Sequence, residues 1–287
     1  MLAVMIREFR AYFQSITGFV FMGFFLLISG FFFTLMNLLQ SSPDYTSVLG
    51  SITFVFLLVV PILTMRLMTE ETRQKTDQLL LTSPLRITDI VLGKYLAAQA
   101  VFLMTLVITI LYPILLSFVG RIAAMEVIGA YIGFFLLGSA FIAVGLFISS
   151  LTDNQVVAAV VTFSALLFMW ILDWIQQAVP SDRLSGVIFA ALLVTGLTLF
   201  VFLTIRSWIL SAGVLLAGTA LVVILFLVNP QLYQGLIVRV LEWFSLLERY
   251  NDFSRGILSI SPIVYYISFS SAFIFLTVRV IEKRRWQ

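Results

Sequence analysis

Residues 70–94 read "EETRQKTDQLLLTSPLRITDIVLGK", a charged island in a chain that is otherwise strongly apolar. With Arg66 just ahead of it, the stretch holds 9 of the 31 charged residues in about a tenth of the length. Apolar runs flank it at about 48–68 and 95–119, and six more follow the same pattern at 18–39, 127–149, 156–174, 187–205, 208–228 and 262–281. A helix of about 20 residues crosses a hydrocarbon layer about 30 Å thick. The eight runs therefore predict an all-α polytopic membrane protein, with residues 1–287 forming a single transmembrane domain.

Composition agrees. Hydrophobic residues make up 61% and charged residues 11% of the chain, against about 25% charged in ordinary soluble domains. The mean hydropathy is +1.11. With no cysteine and no histidine, disulfides, thiol chemistry, His-ligated haem and nearly every zinc site are excluded. The side chain most often used for acid–base work near neutral pH is missing too.

Placing the N-terminus in the cytoplasm puts Arg7, Arg10, Arg66, Arg73, Lys75, Arg86, Lys94, Arg206, Arg279, Lys283, Arg284 and Arg285 inside, which is 12 of the 17 basic residues. The remaining five are Arg121, Arg183, Arg239, Arg249 and Arg255. This asymmetry predicts that both termini and the 69–94 loop are cytoplasmic. The stretch 187–228 is broken only by "IRS" at 205–207. About 42 residues far exceed one span, so a hairpin of two is expected.

Two segments are amphipathic. In the head, Met5, Ile6, Phe9, Tyr12 and Phe13 recur at helical spacing, with Arg7, Arg10 and Gln14 elsewhere, as in a helix lying on a membrane surface. From Gln231 to Tyr250, apolar residues from Leu232 to Leu247 alternate with Gln234, Arg239, Glu242 and Glu248 at helical period, predicting an outer amphipathic helix within 229–261. Gly129 and Gly133, four apart in "GAYIG", allow close approach of another helix, from this chain or from a second subunit.

Within the charged loop, Glu71 and Lys75, then Arg73 and Asp77, stand at i,i+4 and predict a helix over about 70–82. Thr72, Thr76, Leu79 and Leu80 share a face. Pro84 stops the helix, because the residue before proline avoids helical angles. Thr88 is expected to cap the next helix, with Asp89 in its first turn. A helix tied in this way to two spans suits force transfer from a cytosolic partner; a solvated connector is the plainer reading. No phosphate-binding G-x-x-x-x-G-K-[ST] stretch occurs. Mid-span carboxylates and nucleophile–base pairs are almost absent, which disfavours an ion-coupled carrier or a membrane hydrolase.

The pattern "EETRQKTDQLLLTSP" followed by "IVLGK" resembles the signature loop of ABC-2 type transporter permeases. Glu70, Glu71, Arg73, Thr76, Leu79, Leu80, Pro84, Gly93 and Lys94 fit it, Lys75 stands where the family usually has glycine, and Gln78 is near the usual glutamate. "REFRAYFQSITGFVF" (7–21), "SSLTDNQVVA" (149–158) and "NDFSRGI" (251–257) resemble the subgroup related to gliding-motility permeases. The resemblance implies a type V ABC exporter-like helical bundle in a bacterial cytoplasmic (inner) membrane. Glu70, Glu71, Arg73, Lys75, Thr76, Leu79, Leu80 and Pro84 would form the coupling helix and its stop, seated on a cytosolic ABC ATPase. Phe253, Ser254, Arg255 and Gly256 would belong to the family's external segment near the exit. It further implies no cofactor on this chain and ATP with Mg in the partner. Two ATPase subunits, a second permease copy or paralogue, an extracytoplasmic accessory protein and the lipid membrane are the expected partners, with no nucleic acid. Residues 187–228 have no counterpart in the usual six-span plan and read as an inserted hairpin. A membrane scaffold using the same ATPase for mechanical work on the envelope is the alternative.

Overall fold

The computed structural model describes residues 1–73, 86–118 and 120–285, all helix and connection with no strand among them. The head forms α1 (Leu2–Gln14), and its residues sort onto three faces. Val4, Glu8 and Tyr12, at i, i+4 and i+8, lie on the inward face, with Val4 and Tyr12 buried. Leu2 and Ile6 are exposed, and Phe9 and Phe13 continue their stripe as half-buried rings. Ala3, Arg7, Arg10 and Gln14 take the remaining arc and are exposed. That division suits a helix lying where protein, lipid and water meet.

At Ser15 the backbone turns extended, and the chain enters α2 (Ile16–Leu38). Only glycine fits the elbow, because a Cβ on Gly18 would lie 2.7 Å from the Tyr12 carbonyl oxygen. Next comes α3 (Thr46–Glu71), α4 (Ile87–Ser117), α5 (Ala124–Leu151) and α6 (Gln155–Ala178). Two helices of this series are interrupted, α4 by a turn at Ile110 and α3 more extensively. α3 contains a 3-10 turn at Ile52–Val55 and Pro61 within its helix, and it loosens into turns at 65–68 before resuming at Thr69–Arg73. The helix of α4 begins one residue earlier than its expected cap. Arg86 is the N-cap and Thr88 lies inside the first turn, because Arg86 already holds the extended backbone angles of a cap.

The helices fall into two compact units, residues 1–170 with 246–287 and residues 171–245. In the first, α5 is the axis: 78% of its apolar window is buried. It packs on α3, α4, α10 (Leu246–Ser254) and α11 (Ile260–Arg285). Small residues permit this. A Cβ on Gly138 would strike the Phe102 ring, and one on Gly145 the Thr64 side chain. The core is aromatic: Phe56 meets Phe134 at 4.6 Å, Phe102 at 5.6 Å and Phe141 at 5.6 Å between ring centroids. Several of these pairs are edge-on, the arrangement the ring quadrupoles favour.

The second unit contains α7 (Arg183–Ile205) and α8 (Trp208–Val228). Arg206 adopts a left-handed conformation (φ 53°), and the Ser207 hydroxyl accepts from the Leu210 N–H at 3.5 Å to start α8. Two antiparallel helices result, with only 6% and 11% of their apolar windows buried, as expected of surfaces that face lipid. Tyr233 closes this unit by donating to the Val222 carbonyl at 2.9 Å.

The outer amphipathic segment is not one helix. It divides into a 3-10 turn Pro230–Tyr233, α9 (Leu236–Phe244) and α10. The breaks are Gly235, at φ +68°, and Ser245, with extended angles. Together with α2–α6 and α11, the hairpin brings to eight the described helices long and apolar enough to cross a membrane. Reporter fusions after Arg206 and after Gln234 are expected on opposite sides, the first cytoplasmic. Finding both on one side would reduce α8 to a surface element.

Candidate functional site

Lys94 stands two turns into α4 with its side chain only 2% exposed. A bare ammonium there would be prohibitively costly. Its three N–H donors are met from three places. Nζ donates to the Leu67 carbonyl at 2.6 Å, in the loosened turn of α3. It lies 3.0 Å from Glu71 Oε1 and 3.4 Å from Glu8 Oε1. Arg7 closes the network, donating to Glu8 at 2.6 Å and Glu71 at 2.9 Å. Among the described residues, these two cations and two carboxylates join α1, the start of the loop helix and α4 across more than 60 residues of sequence. Burial works against the Arg7 charge, but Glu8 and Glu71 outweigh it and raise its pKa.

A second pair sits beside the first. Arg66 grips Glu70 with Nε at 3.1 Å and Nη2 at 2.9 Å, while Nη1 donates to the Thr17 hydroxyl at 2.7 Å. That contact ties α3 to the first turn of α2. Tyr12 donates to the Leu63 carbonyl at 2.7 Å, and burial, reinforced by Glu8, pushes its phenol up and keeps it protonated. Gly93 has a geometric reason: a Cβ there would lie 2.9 Å from Val4 Cβ, so glycine lets α1 lie directly on α4.

Of the residues expected to form the coupling helix, Glu70 and Glu71 are in these networks, and Arg73 ends the described helix Thr69–Arg73. Lys75, Thr76, Leu79, Leu80 and Pro84 lie outside the described residues. Residue reasoning missed Glu8 as the partner of Lys94. The usable signals were a lysine inside an apolar helix and a glutamate on the inward face of an amphipathic one.

At the opposite end of α5 the two other expected groups meet. A Cβ on Gly133 would lie 2.5 Å from Phe253 Cβ, and one on Gly129 would lie 2.8 Å from the Phe253 carbonyl oxygen. Phe253 is fully buried. The chain then turns: Gly256, at φ +74°, donates to the Phe253 carbonyl at 3.0 Å. The Ser254 hydroxyl donates to Asn251 O at 2.9 Å, and Arg255 N to Asp252 O at 3.3 Å. The glycine face of α5 is thus occupied by α10 of the same chain.

No group of three or more His, Cys, Asp or Glu side chains placed to hold a metal occurs among the described residues. The site is a charged, hydrogen-bonded joint that fastens the Thr69–Arg73 helix, α1 and α4 to one another.

Comparison with known proteins supplies the family. No curated protein matches the chain. The pattern of the ABC-2 family transporter protein matches residues 19–215, well over half of the 287. That match runs through α7 and into α8, the stretch that a six-span plan sets apart as an insertion. The eight apolar helices and this match together place the protein in a membrane and in transport: the chain belongs to the ABC-2 family of ABC transporter permeases.

Proposed function

We propose that this chain is the membrane half of an ATP-driven exporter of the gliding-motility-permease-like subgroup. The observation that carries the proposal is the Lys94–Glu71–Glu8 joint, which fastens the start of the 70–82 loop to α1 and α4. A cytosolic ABC ATPase holds the loop through Thr76, Leu79 and Leu80, and ATP with Mg is bound and hydrolysed in that partner. When the ATPase subunits close, the load on the loop passes through Glu71 to Lys94 and through Glu70 to Arg66. Spans α3 and α4 then tilt with α1. Two such permeases, identical or paralogous, pair with two ATPases, an extracytoplasmic accessory protein is a further partner, and Phe253, Ser254, Arg255 and Gly256 belong to the external segment near the exit. The protein lies in a bacterial cytoplasmic membrane with both termini inside, as the distribution of basic residues favours.

The experiment is affinity purification of the full chain from its native membranes in mild detergent, followed by vesicle reconstitution. An ABC ATPase is expected to co-purify with vanadate-sensitive hydrolysis. Absence of any ATPase would end this reading. Hydrolysis without vectorial movement, alongside an envelope defect in cells lacking the chain, would favour a mechanical scaffold.

A further inference from the structure

α3 is weak as a helix near its loop end, and its sequence says why. Pro61 has no N–H to offer the carbonyl four residues back, which weakens the helix there. Thr64 and Thr69, both fully buried, each turn a hydroxyl back onto the carbonyl four residues earlier, those of Val60 and Met65. Such back-bonding loosens and bends helices. Between the two threonines, at 65–68, the Leu67 N–H donates three residues back to the Thr64 carbonyl at 3.1 Å. In a regular helix its acceptor would be the Leu63 carbonyl. That oxygen instead receives the Tyr12 hydroxyl of α1 at 2.7 Å. The Leu67 carbonyl receives Lys94 Nζ of α4 at 2.6 Å, and Arg66 of the same turn reaches the Thr17 hydroxyl of α2. Three neighbouring helices therefore hold the turn from outside.

We infer that residues 65–68 are a two-state hinge in α3, and that Tyr12 and Lys94 are the positioning residues that keep it in its loosened state. A short, tight turn inside a longer helix is a common form of hinge. The other state is the continuous helix. With the two side-chain donors withdrawn, the Leu63 and Leu67 carbonyls accept from the N–H groups of Leu67 and Glu71, four residues on, as in any α-helix. Both carbonyls are paired in either state, so neither state carries the cost of a buried, unpaired acceptor. The segment Thr69–Arg73 leaves α3 in a different direction in each, because roughly three residues per turn become about 3.6. Glu71 connects the hinge to the loop. Its carboxylate shares Lys94 with the Leu67 carbonyl, so a load that draws Glu71 away also draws the donor from the turn. That last step rests on the coupling reading above; the two states of the turn do not.

The chain contains no cysteine, so a spin-label pair can be introduced without removing any. Leu58→Cys, at an exposed position in the helix before the turn, and Thr72→Cys, in the helix after it, flank the hinge. The test is the dipolar distance between the two labels in the full chain purified in mild detergent. Tyr12→Phe keeps the ring and removes only the hydroxyl. Thr69→Val keeps the volume and removes a back-bond from within α3. Each is expected to raise a second, discrete distance roughly fivefold over the wild type, the factor that loss of one ordinary hydrogen bond gives. A hydroxyl that merely stabilises the fold would lower the unfolding temperature and leave one distance. A single distance in both variants, whether or not unfolding shifts, would overturn the hinge. The measurement needs no ATPase, so failure to recover one would count against the coupling reading and leave this result standing.

Discussion

Lys94→Met is expected to destabilise the protein by about 3 kcal/mol, the lower part of the range for breaking a buried ion pair by removing one partner. The lower part is appropriate because Glu8 and Glu71 are 16% and 17% exposed and keep some water. Methionine fills the volume, so the loss is electrostatic. The Glu8 and Glu71 carboxylates lose the cation that faces both of them, and the Leu67 carbonyl loses its donor. Thermal unfolding of the purified chain in detergent measures it. A triple variant, Glu8→Gln, Glu71→Gln and Lys94→Met, is expected to recover much of the loss, because neutral amides no longer repel and can pair with each other. Lys94→Met unfolding at the wild-type temperature would show that the joint bears no load. So would a triple variant no better than the single one.

Gly133→Val should have the second-largest effect, about 3 kcal/mol, at the upper end of the cost of overpacking a filled core. The new Cβ alone would sit 2.5 Å from Phe253 Cβ and 2.6 Å from its Cγ, and Phe253 has no exposed surface through which to retreat. Displacing it also moves Tyr266, whose ring centroid is 6.4 Å from that of Phe253 and whose hydroxyl donates to the Leu246 carbonyl at 2.5 Å. Phe253→Ala opens the space, so the double variant is expected to cost clearly less than the sum of the singles. Strict additivity would mean that the two residues do not meet. Gly196→Ala and Gly213→Ala are the controls: nothing lies within 4 Å of a Cβ at either, and neither should lose stability.

The parts of this architecture that were legible in the amino-acid order are those governed by local composition. An uncharged run of about 20 residues has few fates other than a span, and "IRS" at 205–207 marked the only place where 187–228 could turn; Arg206 and Ser207 make that turn. Periodicity was a weaker guide. From Gln231 to Tyr250 it assigned the faces of a helix but said nothing of backbone continuity. Gly235 and Ser245 leave helical geometry while the apolar pattern continues past them. Thr88 looked like a cap by residue type, yet Arg86 already has the extended angles of an N-cap.

The joint itself was half visible. Glu71 and Lys94 could be noted as members of one motif, but a motif does not say that its ends touch. Glu8 is 86 residues from Lys94 and is recruited only because Gly18 and Gly93 let α1 fold back onto α4. Long-range ion pairs of this kind depend on tertiary approach, which local spacing does not encode. Gly129 and Gly133 were read as a packing face with the neighbour left open, and the neighbour proves to be Phe253 of the same chain.

The measurement closest to the central claim is ATPase association and turnover of the reconstituted complex carrying Leu79→Asp with Leu80→Asp. A coupling helix seated in an ATPase through its leucines predicts loss of the co-purifying ATPase, with coupled hydrolysis falling at least tenfold while the chain's own unfolding temperature stays at the wild-type value. Undiminished association and turnover would contradict the account, because the loop would then be a solvated connector and the Lys94 joint would hold the fold without driving it.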